Sequence, residues 1–278
     1  MLNLSLFLFS FLLFLLSLTW PSLLGMWVCM EAANMIVLTG FFNFCISVNR
    51  YSGLLGAILI SGISSGLLFM GFISDSYLKV FLISLILKIG MFPFVSWVVA
   101  VLINSPWLVF YFISSVSKVS LIYFHSFVSS LTEINIAVFY FLTFVFLMQL
   151  LISGVSGFKM LLAISSVSTG SLLLLFLNGL GVYSVSVFLG VYLVYNLIFM
   201  SVIASIEVGL LDSSKTVVSS FVVLGVPFSV SILYKLVGSY FVSFFSFPFI
   251  FLWVLYSCLE FVYVVLWLFE KSSVNESW

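Results

Sequence analysis

The chain has 278 residues, of which 64% are hydrophobic and only 6% charged, and its mean hydropathy is +1.42. A soluble domain carries about 25% charged residues, so this composition excludes a soluble enzyme and a disordered chain. Eight basic residues balance eight acidic ones, which leaves no basic footprint for nucleic acid and makes lipid the solvent.

A spanning helix needs about 20 mostly apolar residues, because the hydrocarbon core is about 30 Å thick and each residue rises about 1.5 Å. Ten runs meet that need approximately, at 3–20, 23–46, 53–74, 78–102, 105–129, 133–153, 157–177, 180–208, 216–242 and 247–270. They are long and continuously apolar, without the strict alternation of a membrane barrel. The fold class predicted is therefore an all-α polytopic membrane protein. The links are short and hold the breakers: Trp20-Pro21-Ser22, Ser47 to Ser52, Asn104-Ser105-Pro106 and Leu211 to Lys215. The first run has no basic flank and no small-residue cleavage site, so neither a cleaved signal peptide nor an Arg-rich presequence is expected. Phe reaches 34 residues, while Arg50, His125 and Gln149 each stand alone of their kind. Residues with thymine-rich codons are abundant and the others scarce, as in some animal mitochondrial genomes. Cys29, Cys45 and Cys258 are scattered without CxxC spacing and suggest no metal site.

An even span count puts both termini on one side. That side carries Arg50, Lys159, Lys215 and Lys271 against Lys79 alone on the other, so the positive-inside rule places the termini in the matrix or its equivalent. The spans divide as five plus five, at 1–130 and 131–278. In each half the fourth span contains a proline, Pro93 and Pro227. Proline removes a backbone donor and frees carbonyls at membrane depth. Interruptions at matching places in two halves point to an ion path through a transporter-like repeat, and an odd repeat length inverts the halves.

Ionisable residues within spans are costly, about 2.5–3.5 kcal/mol each at the bilayer centre on insertion scales, and need a partner or a role. Glu31 lies in span 2 on one face with Trp27 and Asn34, at i−4 and i+3. Lys88 precedes Pro93 by five residues. Lys118 lies in span 5, with Ser114 a turn before and His125 two turns after. Lys235 follows Pro227 by eight. Burial disfavours the charged form of an amine and a nearby carboxylate restores it, so a Glu–Lys pair can switch a proton on and off. His125 is a further relay candidate. Lys159 and Glu133 sit at span ends, where interfacial roles are expected, and Glu260 lies deep in span 10, to pair with a lysine or face another chain. With one histidine, bis-histidine haem ligation is impossible, and no redox centre is found.

At these residues the chain resembles a known family. Trp27-Val28-Cys29-Met30-Glu31-Ala32-Ala33-Asn34 resembles the W-x-G-x-E-x-N segment of chain 2 of mitochondrial NADH:ubiquinone oxidoreductase, with Cys29 in place of Gly. Lys88-Ile89-Gly90-Met91-Phe92-Pro93-Phe94-Val95-Ser96-Trp97 is similar to its K-x-G-x-x-P-F-H-x-W segment, with Val95 in place of His. Lys159 to Ser166 resembles K-x-L-A-x-S-S, and Gly225-Val226-Pro227-Phe228 with Lys235 resembles G-x-P-P…F-x-x-K, with Phe228 in place of the second Pro. The length and composition look like a nematode version. The resemblance implies an antiporter-like, proton-translocating subunit of the membrane arm of respiratory complex I, in the mitochondrial inner membrane. Glu31 and Lys88 are then the first-half pair, Lys118 the bridging lysine and Lys235 the second-half lysine. NADH oxidation and ubiquinone reduction, with FMN and iron–sulfur clusters, fall to other subunits. The implied partners are neighbouring membrane-arm subunits, among them antiporter-like chains, and inner-membrane phospholipids. An independent cation/proton antiporter and a purely structural membrane-arm bundle are the competing readings.

Overall fold

The computed structural model describes residues 2–43, 50–73, 77–129, 133–154, 157–207 and 230–275. Twelve α-helices and one 3₁₀ segment make up these residues, and no strand occurs among them. In chain order the helices are α1 (Leu2–Thr19), α2 (Leu23–Asn43), α3 (Arg50–Ile73), α4 (Leu78–Ile89), α5 (Val95–Ile103) and α6 (Trp107–Ser114). The 3₁₀ segment (Val116–Phe124) follows, then α7 (His125–Val128), α8 (Glu133–Ile152), α9 (Phe158–Gly179), α10 (Val182–Glu207), α11 (Val230–Val242) and α12 (Phe247–Asn275). Helix is the form that satisfies every backbone donor and acceptor within one segment when lipid offers none. Among the described residues six stretches are long and apolar enough to cross a membrane, beginning at Leu23, Arg50, Trp107, Phe158, Val182 and Phe247, and three apolar helices are shorter.

Large apolar side chains cover the outside. Leu55, Met70, Tyr183, Phe247 and Leu236 are all exposed, a surface that only hydrocarbon solvates without cost. The inside is organised around α9, which is buried almost from end to end. It touches α4, α5, α6, α7, α8, α10, α11 and the 3₁₀ segment. Its middle, Ser165-Ser166-Val167-Ser168-Thr169-Gly170-Ser171, explains this position, because small residues let neighbouring backbones come close in a membrane. The hydroxyls of Ser165, Ser166, Ser168, Thr169 and Ser171 each donate to the carbonyl three residues earlier, at 2.7–2.9 Å. At Gly170 a Cβ would run into the Ile89 side chain and sit 3.7 Å from Lys118 Cε. Glycine there lets the end of α4 and the 3₁₀ segment meet on α9.

Two interruptions fall inside predicted spans. Span 4 divides into α4 and α5 around Gly90 to Phe94. Span 5, expected as one helix, is instead α6, the 3₁₀ segment and α7. The serines at 114, 115, 117 and 120 account for that second departure. Ser117 and Ser120 hydroxyls bond back to the carbonyls of Ile113 and Ser117, and such local bonds compete with the i to i−4 ladder. The predicted interruption at Pro227, with Gly225, Phe228 and Lys215, lies outside the described residues.

Candidate functional site

The first interruption builds the first charged pair. Gly90 ends α4 in the left-handed conformation, φ 79°, and its N–H and that of Met91 both reach the Ile86 carbonyl. A residue with a Cβ would be strained there and would meet Val98. The Phe92–Pro93 peptide is cis. Beyond the proline, Trp97 on α5 turns back so that its Nε1 donates to the Leu87 carbonyl at 3.0 Å, capping one of the acceptors that a helix end leaves open. Lys88 sits in this last turn of α4, at the negative end of the helix dipole. Its Nζ lies 3.1 Å from Glu31 Oε1 and 3.3 Å from Met30 Sδ on α2. Lys88, Gly90, Pro93 and Trp97 therefore cooperate: the break presents an amine, and the indole seals the backbone that the break exposes.

Lys88 also lines two small cavities. One, of about 80 Å³, is walled by Asn34, Ser61, Ser64, Trp97 and Ser117. The other, of about 40 Å³, is walled by Ser117, Lys118, Ser120 and Ser166. A water needs roughly 10–15 Å³ measured this way, so both spaces are large enough for water, and their walls include serine hydroxyls. Lys88 and Lys118 face the second space together.

Lys118, on the 3₁₀ segment, is only 7% exposed. Its Nζ donates to the Ser166 carbonyl and, at 2.8 Å, to Thr169 Oγ1, and it stands 4.9 Å from the centre of the Tyr192 ring. Among the described residues it has no ion pair. Carbonyl, hydroxyl and ring face together solvate the amine without a counter-charge. Asn196 on α10 holds the junction of α6 and the 3₁₀ segment: its Nδ2 donates to Ser114 Oγ at 2.9 Å and to Ser115 Oγ.

The second pair is Lys235 on α11 with Glu260 on α12, at 2.9 Å. Lys235 Nζ also donates to the Ser257 carbonyl at 3.2 Å. A cleft of about 480 Å³ opens beside the pair, bordered by Tyr195, Phe199, Ser257 and Cys258. His125 is not brought against Lys118. Its Nδ1 lies 2.9 Å from the Leu177 carbonyl, an acceptor, so Nδ1 carries the proton. Seven residues of 3₁₀ segment at about 2 Å each separate it from Lys118 by roughly 14 Å. Lys159 is a tie between helices, with Nζ 3.3 Å from the Ser105 carbonyl and over the Trp107 ring at 4.8 Å.

The structure thus assembles Glu31–Lys88, Lys118 and Lys235–Glu260 inside one bundle, with hydroxyls and water-sized spaces between the first three. Such groups can accept, hold and pass protons. Sequence reasoning did not single out Thr169, Tyr192 or Asn196, whose polar atoms come together only when α9 and α10 pack on the 3₁₀ segment. A signal did exist at Ser114-Ser115, a hydroxyl pair beside the buried lysine.

No family model matches the chain, and no curated protein matches it. Among solved structures it is similar to a chain of respiratory complex I from Thermus thermophilus with bound aureothin, with a TM-score of 0.73 and 15% identity, over 93% of this chain and 67% of that one. At that identity the likeness is one of fold, and what it establishes is that this helical bundle is built like a chain of a respiratory complex I.

Proposed function

We propose that the chain is a proton-translocating, antiporter-like subunit of the membrane arm of respiratory complex I, corresponding to chain 2 and to its nematode-like form. In this reading ten spans form two inverted repeats, 1–130 and 131–278, in the mitochondrial inner membrane with both termini in the matrix. Neighbouring membrane-arm subunits and phospholipids surround it. NADH oxidation and ubiquinone reduction, with FMN and iron–sulfur clusters, take place on other subunits.

One observation carries the reading: Lys88, presented by a broken helix, is paired with Glu31 at 3.1 Å and shares a small space bordered by serines and apolar side chains with Lys118, which has no ion pair among the described residues. Gaining or losing a counter-charge changes how tightly a buried amine holds its proton. Movement of Lys88 between Glu31 and that space therefore couples conformation to proton binding. Lys118 passes the proton toward the second half, where Lys235 faces the cleft, and His125 reaches the row only through water. The fold likeness to a complex I chain supports the assignment to that assembly. The test has two parts. The chain should co-migrate on a native gel with a large NADH-oxidising assembly; migration alone would favour an independent antiporter. Neutralising Lys88 should then stop NADH-driven proton uptake in vesicles while the assembly persists; unchanged uptake would leave a scaffold.

A further inference from the structure

Glu260 is a carboxylate in a place that asks for more than one partner. Its side chain is 4% exposed, against 23% for Lys235, and both border the cleft, the amine toward its mouth and the acid deeper. Oε2 binds Lys235, while Oε1 is buried and has no hydrogen-bond partner among the described residues. A carboxylate oxygen in that state forgoes its solvation, unless it is an acceptor that is filled only during turnover.

Buried tyrosines lie beside it. Tyr195 borders the same cleft as Glu260, and Tyr192, Tyr195 and Tyr234 are all buried. Tyr195 and Tyr234 stack with centres 4.9 Å apart, and Tyr192 lies 5.7 Å from Tyr234. Tyr192 is also the ring under Lys118, and its phenol lies beside Thr169, the hydroxyl that accepts from Lys118. Tyr192 thus joins Lys118 to the stacked tyrosines that reach the cleft beside Glu260.

We infer that Glu260 is a proton-carrying residue of this chain, the acid that joins Lys118 to Lys235 through the tyrosine-lined interior. This rests on the proton-translocating reading above and adds to it a group on α12. The Lys235 ammonium releases its proton to water in the cleft. Glu260, left without its counter-charge, takes a proton that leaves the Lys118 ammonium by way of the Thr169 and Tyr192 hydroxyls and of water between Tyr192 and Glu260, each accepting one proton and releasing another. The Glu260 acid then passes its proton to the neutral Lys235 amine, and the ion pair is restored. One proton has moved from Lys118 to the cleft, and no electron is involved.

The experiment uses the assembled complex in vesicles and reads proton uptake per NADH oxidised. Glu260→Gln keeps shape and hydrogen bonding but cannot carry a proton, and it should abolish the uptake that depends on Lys88. Glu260→Asp should restore part of it. Lowering the pH separates the roles. If Glu260 only neutralised Lys235, its loss would weaken the hold of the buried amine on its proton, and uptake in Glu260→Gln would recover as the pH falls; continued loss supports a proton carrier. Wild-type uptake in Glu260→Gln, or its recovery at lower pH, overturns the inference. Should Glu260→Gln fail to assemble, the same pH series on the smaller neutral variant Glu260→Asn carries the decision. Lys88→Met, measured alongside, reports on the parent reading: its loss of uptake together with normal uptake in Glu260→Gln sinks the Glu260 role alone.

Discussion

Replacing Lys88 by methionine removes the amine at the end of α4 and keeps a flexible side chain of similar reach. At 3.1 Å from Glu31 Oε1, two unit charges in a medium of effective dielectric constant about 20 attract by about 5 kcal/mol. That full amount does not appear as lost stability. A carboxylate stranded in a low-dielectric site takes up a proton instead of remaining charged, and what remains is the cost of an under-satisfied buried polar group, about 1–3 kcal/mol. A bundle held by the enclosed α9 and its surrounding helices should tolerate that, so the complex assembles. Proton uptake, in contrast, loses the amine that both Glu31 and the space shared with Lys118 depend on. Lys88→Arg sharpens the test. Guanidinium pairs well with a carboxylate but, with a pKa above about 12, hardly releases a proton. A relay is therefore stopped by both substitutions, whereas a role confined to charge pairing is harmed by methionine and spared by arginine. The assay is NADH-driven proton uptake in reconstituted vesicles, normalised to assembled complex. Full uptake in Lys88→Met would remove Lys88 from the mechanism, and full uptake in Lys88→Arg would leave it only a pairing role.

Three further substitutions probe the frame that holds the row. Gly90→Ala forces a left-handed backbone onto a residue with a Cβ and drives that Cβ into Val98; a cost of about 1–3 kcal/mol should lower the thermal stability of the complex, and an unchanged melting profile would contradict the backbone account. Trp97→Phe leaves the Leu87 carbonyl without its indole donor for a loss of about 1–3 kcal/mol; amide exchange should quicken in the last turn of α4, and equal protection would refute the capping role. Gly170→Val should push Ile89 and Lys118 off α9 at an overpacking cost of about 1–3 kcal/mol, seen as less assembled complex on a native gel and weaker uptake in what assembles.

Much of this was legible in the sequence because hydrocarbon is an unforgiving solvent. Hydropathy alone marks the helical runs, and the ends of α8, α9 and α10 fall within about two residues of the predicted limits, the usual uncertainty of helix ends. The interruption between α4 and α5 was visible at Pro93, which withdraws a donor; the left-handed turn at Gly90 that ends α4 was not, because glycine permits that conformation without requiring it. The 3₁₀ segment was not legible, because serine is permitted in helices and only its packing against Asn196 makes the local alternative win. The meeting of Lys88 with Glu31 crosses 57 positions of sequence, and periodicity places each on a helix face without saying which faces meet. Glu260 was seen as a buried acid, but its choice of Lys235 depended on how α11 lies against α12.

The hydroxyls of α9 have a consequence for leakage. Every one from Ser165 to Ser171 points its hydrogen at its own helix, toward the N-terminal side, and at 3.6 residues per turn these positions are spread around the helix, not aligned in a file. Each hydroxyl is tied to its own backbone, and turning toward a neighbour first means giving up a bond of about 1 kcal/mol. The helix can therefore meet the amines packed against it with hydroxyls and yet hold no standing wire along its length, which is what a membrane that stores an ion gradient requires of any polar strip through its middle.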